Sequence, residues 1–283
     1  MPASPNDDFK GASAIEIPSA LEHLGKILAP PGRRLAIFLD YDGTLTPIVD
    51  RPELAVLSGP TREVVQGLAV CATVVILSGR DLDDVQQRVG IDGIIYAGSH
   101  GFDIIGPGGL RKKVATEFLP ILDVAETEVR TKLDRIPGAL VERKCFSIAA
   151  HYRLADQKGV DAVVRAVNEV AGRHRELRMV SGKKLYELQP DIDWDKGRAM
   201  LWLIETLELE QLGTLLFYIG DDRTDEDAFR ALGKRGTSII VTEQTRSTAA
   251  QYALKNPAEV ERFLAELASF ASDSGNCRSG SLP

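Results

Sequence analysis

The chain has 283 residues, of which 44% are hydrophobic and 27% charged, so it carries enough apolar material for a buried core and too much for wholesale disorder. Thirty-four basic against forty-one acidic residues give a net charge of −7, which offers nucleic acid no attracting field and leaves any anionic small molecule to be held by local groups. The acidic N-terminal stretch lacks the basic start of a signal peptide, no apolar run reaches the roughly 18 residues of a membrane span, and the three cysteines (Cys71, Cys145, Cys277) have no CxxC or zinc spacing and are too few to staple the chain. A reducing cytoplasm and no membrane anchor are the expectation.

Residues 1–17 and the tail 272–283 (SDSGNCRSGSLP) are rich in Ser, Gly, Pro and Asp and are expected to be disordered. Between them, continuous apolar runs at 35–39 (LAIFL), 73–77 (TVVIL), 94–97 (IIYA), 215–219 (LLFYI) and 238–241 (SIIV) read as strands buried on both faces, the mark of a parallel sheet. Helical patterns at 61–70, 82–89, 198–207 and 226–232 alternate with them, and Asn256 before Pro257 opens a last helix to about residue 270. The alternation predicts an open α/β sheet built from 18–107 and 191–271. Residues 108–190 break it with a helix (116–135), strands at 140–144 and 147–153, a second helix (158–173), and strands at 178–180 and 185–188 around a Ser181-Gly182 turn. Phe146, Ile148, Ala150 and Tyr152 recur at period two, so this αββαββ segment is expected to form an inserted, half-exposed antiparallel domain.

Three apolar runs end in polar sequence: Leu39 leads into Asp40-Tyr41-Asp42-Gly43-Thr44, Leu77 into Ser78-Gly79-Arg80, and Ile219 into Gly220-Asp221-Asp222. Open α/β sheets bind ligands outside the carboxyl ends of their strands, where these segments can converge. Carboxylates gathered there repel unless a cation or proton compensates, and an oxygen-only set with room for water and phosphate suits Mg²⁺ better than Ca²⁺ or Zn²⁺. Read singly, each segment has an ordinary structural use. The Asp-x-Asp-Gly-Thr run is a turn, Ser78 or Asp81 caps the next helix, Arg80 pairs with a carboxylate, and Lys196 at the head of KGRAMLWLIETL is solvated. It is their joint position after strands of one sheet that argues for chemistry. In the inserted segment Glu142 and Lys144 share a face, as Lys183 and Glu187 do if both sit on the second hairpin; such charges either line a pocket for a polyhydroxylated ligand or form cross-strand ion pairs on a solvated face. No two of the four histidines sit at metal-ligand spacing, and no GxSxG elbow or Walker loop competes.

The segments Leu39-Asp-Tyr-Asp-Gly-Thr-Leu-Thr-Pro47, Leu77-Ser-Gly-Arg80, Asp195-Lys-Gly197 and Gly220-Asp-Asp-Arg-Thr-Asp-Glu226 resemble, in order and spacing, the four motifs of the haloacid-dehalogenase (HAD) phosphohydrolases. Gly98-Ser-His-Gly101, Val141-Glu-Arg-Lys144, Ala150-His-Tyr-Arg153 and Gly182-Lys-Lys-Leu-Tyr-Glu-Leu188 narrow the resemblance to the trehalose-6-phosphate phosphatase family, over about residues 33–265. The resemblance implies a Rossmann-like HAD core with an α+β cap that closes over the site. It implies that Asp40 is the nucleophile and Asp42 the general acid and base. Mg²⁺ is then held by the Asp40 side chain, the Asp42 main-chain carbonyl and Asp221, with Asp225 acting through water or as a further ligand. Ser78 and Lys196 are expected on the transferring phosphoryl group, Thr44 and Gly79 beside it, and Glu142, Lys144, His151, Arg153, Lys183 and Glu187 on the sugar. The expected enzyme is a cytoplasmic monomer that takes a small-molecule substrate, with no nucleic-acid or membrane partner. The alternatives are a phosphatase for another sugar phosphate, such as sucrose 6-phosphate or mannosyl-3-phosphoglycerate, a phosphosugar mutase, and a non-catalytic sugar-phosphate-binding regulatory domain.

Overall fold

The computed structural model describes residues 17–29, 33–49, 51–182, 184–273 and 277. Its elements begin with α1 (Leu24–Ile27), β1 (Leu35–Leu39), α2 (Gly59–Cys71), β2 (Thr73–Leu77), α3 (Leu82–Val89), β3 (Ile95–Gly98), β4 (Asp103–Ile105) and β5 (Arg111–Lys113). Next come α4 (Leu119–Leu133), β6 (Leu140–Lys144), β7 (Ser147–His151), α5 (Gln157–Arg173), β8 (Leu177–Gly182) and β9 (Leu185–Pro190). The chain ends with α6 (Lys196–Thr206), β10 (Leu215–Gly220), α7 (Asp225–Leu232), β11 (Thr237–Val241), β12 (Tyr252–Leu254) and α8 (Pro257–Asp273). It divides into two compact units, Met1–Val74 with Ile204–Pro283, and Val75–Leu203.

In the first unit the strands run parallel in the order β12-β11-β10-β1. All five residues of β1 are buried, as its continuous apolar run requires of a strand covered on both faces. Its register, Leu35 opposite Leu215 through Leu39 opposite Ile219, brings the carboxyl ends of β1 and β10 level, and the Asp40 N–H donates to the Ile219 carbonyl. Helices α2 and α8 pack together, each opened by a side-chain cap. The Ser58 hydroxyl accepts from the Thr61 N–H, Asn256 Oδ1 accepts from the Glu259 N–H, and the Thr61 hydroxyl crosses to Glu261 at 2.6 Å. Helix α8 continues through Asp273, so Ser272 and Asp273 are helical where the sequence suggested a disordered tail; residues 1–16 lie outside the described residues. The expectation of uncrosslinked thiols also needs correction, because Cys71 at the end of α2 is disulfide-bonded to Cys277, 206 residues away. No local spacing reports a pairing across 206 residues.

In the second unit β2 pairs parallel with β3, and β4 and β5 add antiparallel strands to its far side. Neither added strand was legible in the sequence: each is three residues long, and β5 reads Arg-Lys-Lys, a charged composition that protects a sheet edge from further pairing. The second sheet is antiparallel, in the order β6-β7-β9-β8, with α4 and α5 packed on one face through Leu122, Val129, Ile148, Ala150, Val163, Val167 and Leu188. The parallel α/β architecture with an antiparallel αββαββ insertion is thus as expected. Strand β7 is not half-exposed, however. Ser147 and Ala149 are buried as fully as Ile148 and Ala150: on the face away from the helices these small side chains stand between longer neighbours, Lys144 opposite Ser147, and Glu142 and Glu187 opposite Ala149. Phe146 leaves that core and stacks on Phe102 at 5.6 Å. No helix among the described residues is long and apolar enough to cross a membrane.

Candidate active site

In the first unit, the turn after β1 is closed by Gly43 N–H to the Thr46 carbonyl (2.8 Å) and by Thr46 N–H to the Tyr41 carbonyl, while the buried Tyr41 hydroxyl ties it to the Ala55 carbonyl. Gly43 is required here: its φ is +88°, and a Cβ would stand 2.2 Å from an Asp221 carboxylate oxygen. After β10, Asp225 organises the opposite loop. One of its oxygens accepts the Tyr218 hydroxyl (2.8 Å), and the other accepts the backbone N–H groups of Asp221 (3.0 Å) and Asp222 (2.9 Å). Gly220 lets this carboxylate approach, since a Cβ there would lie 2.3 Å from Asp225 Cγ. Burial, then the charges of Asp225, Asp40 and Asp221, push the Tyr218 phenol well above its ordinary range, so it remains a donor.

The outcome is a convergence of like charge. Asp40, Asp221 and Asp225 are buried and offer oxygens within 4.8 Å of one another. Carboxylates so close are stable together only with a cation or protons between them. The donors are hard oxygens, Asp42 follows two residues after Asp40 on the same turn, and the buried Thr44 hydroxyl has no hydrogen-bond partner among the described residues. A small oxygen-seeking divalent ion such as Mg²⁺ fits this set.

In the second unit, Ser78 is buried at the end of β2. Its hydroxyl accepts the Arg80 N–H (3.1 Å), which makes a turn and no helix cap, and leaves its own proton to donate. Arg80 pairs with Asp84 at 2.8 Å. Lys196, the first residue of α6, is only 2% exposed, unlike the solvated lysine that its position alone suggests.

The face of the antiparallel sheet away from its helices carries the charges. Residues 142, 149, 187 and 180 form one row of the register, and 144 lies opposite 147. Lys144 Nζ reaches Glu187 at 3.1 Å and the Gly79 carbonyl at 3.5 Å, the Ser147 hydroxyl also donates to Glu187, and His151 contacts Glu142 at 2.8 Å. Burial alone would raise the Glu187 carboxyl, but Lys144, His100 and Ser147 outweigh it and hold it well below its ordinary range. Burial likewise opposes the Lys144 charge, and Glu187 with Glu142 reverses that, raising its ammonium. The His151 hydrogen bond, opposed by burial and helped by Lys144, lowers Glu142.

Asp40, Asp221 and Asp225 therefore meet in one unit, and Gly79, Lys144 and Glu187 in the other. Arg153 is exposed, and Lys183 lies outside the described residues. Sequence reasoning missed Tyr218, which looked like strand core, Ser147, hidden within an alternating strand, and Asp81, which seemed a helix cap. The Gly98-Ser-His-Gly101 motif was the available signal for His100, whose ring packs on Gly79.

Residues 38–258 match the family model described as trehalose-phosphatase. The chain is 44% identical over 266 residues to the "Trehalose-phosphate phosphatase" of Mycobacterium ulcerans, an alignment that covers 92% of this chain and 68% of that one. It is 39% identical over 281 residues to "Probable trehalose-phosphate phosphatase D" of Arabidopsis thaliana, covering 94% and 76% of the two. Among solved structures, the C-terminal domain of the C. albicans trehalose-6-phosphate phosphatase superposes with a TM-score of 0.78 over 90% of this chain and 98% of that one; at 24% identity this likeness speaks for the fold.

Proposed function

The chain belongs to the trehalose-phosphatase family, and from that premise we propose that it hydrolyses trehalose 6-phosphate to trehalose and phosphate through an aspartyl-phosphate. The observation that carries the reading is the buried convergence of Asp40, Asp221 and Asp225 at the ends of parallel strands, in a sequence that retains every acidic residue the chemistry needs.

In the first step a carboxylate oxygen of Asp40 attacks phosphorus, and the bond from phosphorus to the sugar oxygen breaks as Asp42 gives that oxygen its proton. In the second step Asp42, now ionised, takes a proton from water, whose oxygen attacks phosphorus and releases phosphate and Asp40. Mg²⁺, when bound, offsets the negative charge of the phosphoryl oxygens; Asp40, the Asp42 carbonyl and Asp221 would hold it, with Asp225 fixing the Asp221 loop. The Ser78 hydroxyl and the Lys196 ammonium are assigned to the phosphoryl oxygens, with Thr44 and the Gly79 backbone beside them. Glu142, Lys144 and Glu187 are assigned to the sugar hydroxyls, with His151 orienting Glu142 and with Lys183 and Arg153 at the margin. Residues 18–107 with 191–271 are assigned to the core and 108–190 to a cap that excludes water during turnover. We place the enzyme in the cytoplasm as a monomer.

The test is phosphate release from trehalose 6-phosphate beside sucrose 6-phosphate, mannosyl-3-phosphoglycerate, glucose 6-phosphate and an aryl phosphate, with Mg²⁺ and with EDTA. Strong preference for the trehalose ester, abolished by EDTA, is expected. Equal rates on all five would leave the phosphatase and remove the sugar assignment, and no release from any would remove both.

A further inference from the structure

Asp81 stands between the Ser78–Arg80 loop and α3, at the position whose side chain ordinarily caps a helix. It has the right backbone for capping (φ −61°, ψ 150°) and the right chemistry, yet it makes no cap. Its carboxylate is turned sideways: one oxygen accepts the Ser99 hydroxyl at 2.6 Å, and both lie within 3.0 Å of the Cys145 N–H.

Each of these contacts fastens a segment next to a charged side chain. Ser99 and His100 are consecutive non-glycine residues in the left-handed region, at φ 48° and 58°, a conformation that persists only where its surroundings hold it. Here the Ser99 and His100 N–H groups donate to the carbonyls of Arg80 (2.6 Å) and Ser78 (2.8 Å), and Asp81 holds the Ser99 side chain. The turn so fixed lays the His100 ring against Gly79, where a Cβ would stand 2.7 Å from it, and points Nε2 at Glu187, 3.7 Å away. On the other side, Cys145 is the first residue after β6, directly following Lys144, whose ammonium meets Glu187 and the Gly79 carbonyl. One carboxylate thus pins two segments, and the neighbour of each pinned residue reaches the same glutamate.

We propose that Asp81 is a positioning residue that sets Lys144 and His100 onto Glu187 and holds all three against the Ser78–Arg80 loop, so that sugar recognition and the phosphoryl-binding loop are locked in one geometry. The inference rests on the assignment of Lys144 and Glu187 to the sugar. It also accounts for the Gly98-Ser-His-Gly101 motif, whose strained turn is the surface on which the pin acts.

Asp81→Ser separates this from capping, because serine caps helices well but is too short to span Ser99 and Cys145. The quantity to measure is kcat/KM for trehalose 6-phosphate divided by kcat/KM for an aryl phosphate. In Asp81→Ser the ratio falls about tenfold, carried by KM for the trehalose ester, as expected for loss of charge-assisted hydrogen bonds that hold a binding group in place. Amide exchange followed by mass spectrometry accelerates in both 99–101 and 144–147, with α3 unchanged. A ratio within about twofold of wild type overturns the proposal, as does exchange that accelerates only in α3, since Asp81 would then be a cap. Should the wild type show no preference for the trehalose ester, the sugar assignment fails by itself. The exchange at 99–101 and 144–147 then decides on the pin, and unchanged protection there overturns it.

Discussion

Two groups of carboxylates in this protein are arranged in electrostatically opposite ways. Asp40, Asp221 and Asp225 bring like charges within 4.8 Å, and Asp225 is itself held by two backbone N–H groups and a phenol. On the antiparallel sheet, by contrast, each carboxylate meets a basic group, Glu187 with Lys144 and Glu142 with His151. The first arrangement stores repulsion that a cation relieves, which is how a protein builds a site for a divalent ion and a phosphoryl group. The second is already compensated, so it can lend hydrogen bonds to neutral hydroxyls without leaving a buried charge alone. Chemistry and recognition are thus assigned to surfaces with opposite electrostatic logic, and the difference can be broken one side at a time.

The largest effect is expected at the nucleophile. Asp40→Asn should lower phosphate release by at least about 10³-fold while the circular dichroism spectrum stays unchanged, because no other group can form the covalent intermediate. Residual activity near a tenth of wild type would show that Asp40 is not the attacking group.

That prediction comes from the part of the molecule most legible in the sequence. The turn after β1, the loop after β2 and the acidic loop after β10 are contiguous motifs following apolar runs, and a parallel sheet dictates where such segments emerge. The surface assigned to the sugar was only half legible. Period two places Glu142 and Lys144 on one face, but the pairing of Lys144 with Glu187 depends on the register of β7 against both β6 and β9, which no single strand encodes. Asp81 misled for a related reason, since a helix cap and a tertiary pin call for the same residue type at the same position. Strand β12, at three residues, and the Cys71–Cys277 bond had no local signal at all.

On the compensated surface, Glu187→Gln leaves the Lys144 ammonium half of its partnership. We expect a loss of about 3 kcal/mol by urea unfolding, the low end for a broken buried pair because the Gly79 carbonyl remains. A loss below about 0.5 kcal/mol would place the pair in the class of solvated surface bridges.

The pH dependence sharpens the same contrast. Glu187 and Glu142 are lowered, so their contribution is fully present above the unfolded carboxyl value of about 4.3 and is lost as pH falls below it toward their folded values. Lys144 is raised, so its contribution is present below about 10.4 and lost as pH rises through its folded value. The stability difference between wild type and Glu187→Gln should therefore be flat across neutral pH and shrink on the acid side. A difference that is constant into strong acid would contradict the pairing.

The smallest effect is expected at Tyr218. Tyr218→Phe removes one hydrogen bond to Asp225 and should cost about 1 kcal/mol of stability. Calorimetric titration of the apo protein with Mg²⁺ should show affinity weakened by about tenfold, the scale seen when an outer partner of a metal site is removed. Unchanged Mg²⁺ affinity would mean that Asp225 is held without it.

The division of labour itself is tested most directly by one ratio, kcat/KM for trehalose 6-phosphate over kcat/KM for an aryl phosphate, measured in wild type, Asp221→Asn and Lys144→Met. Asp221→Asn is expected to lower both rates together and keep the ratio, whereas Lys144→Met is expected to collapse the ratio toward one. If Asp221→Asn changed the ratio as much as Lys144→Met does, the two surfaces would not have separate roles.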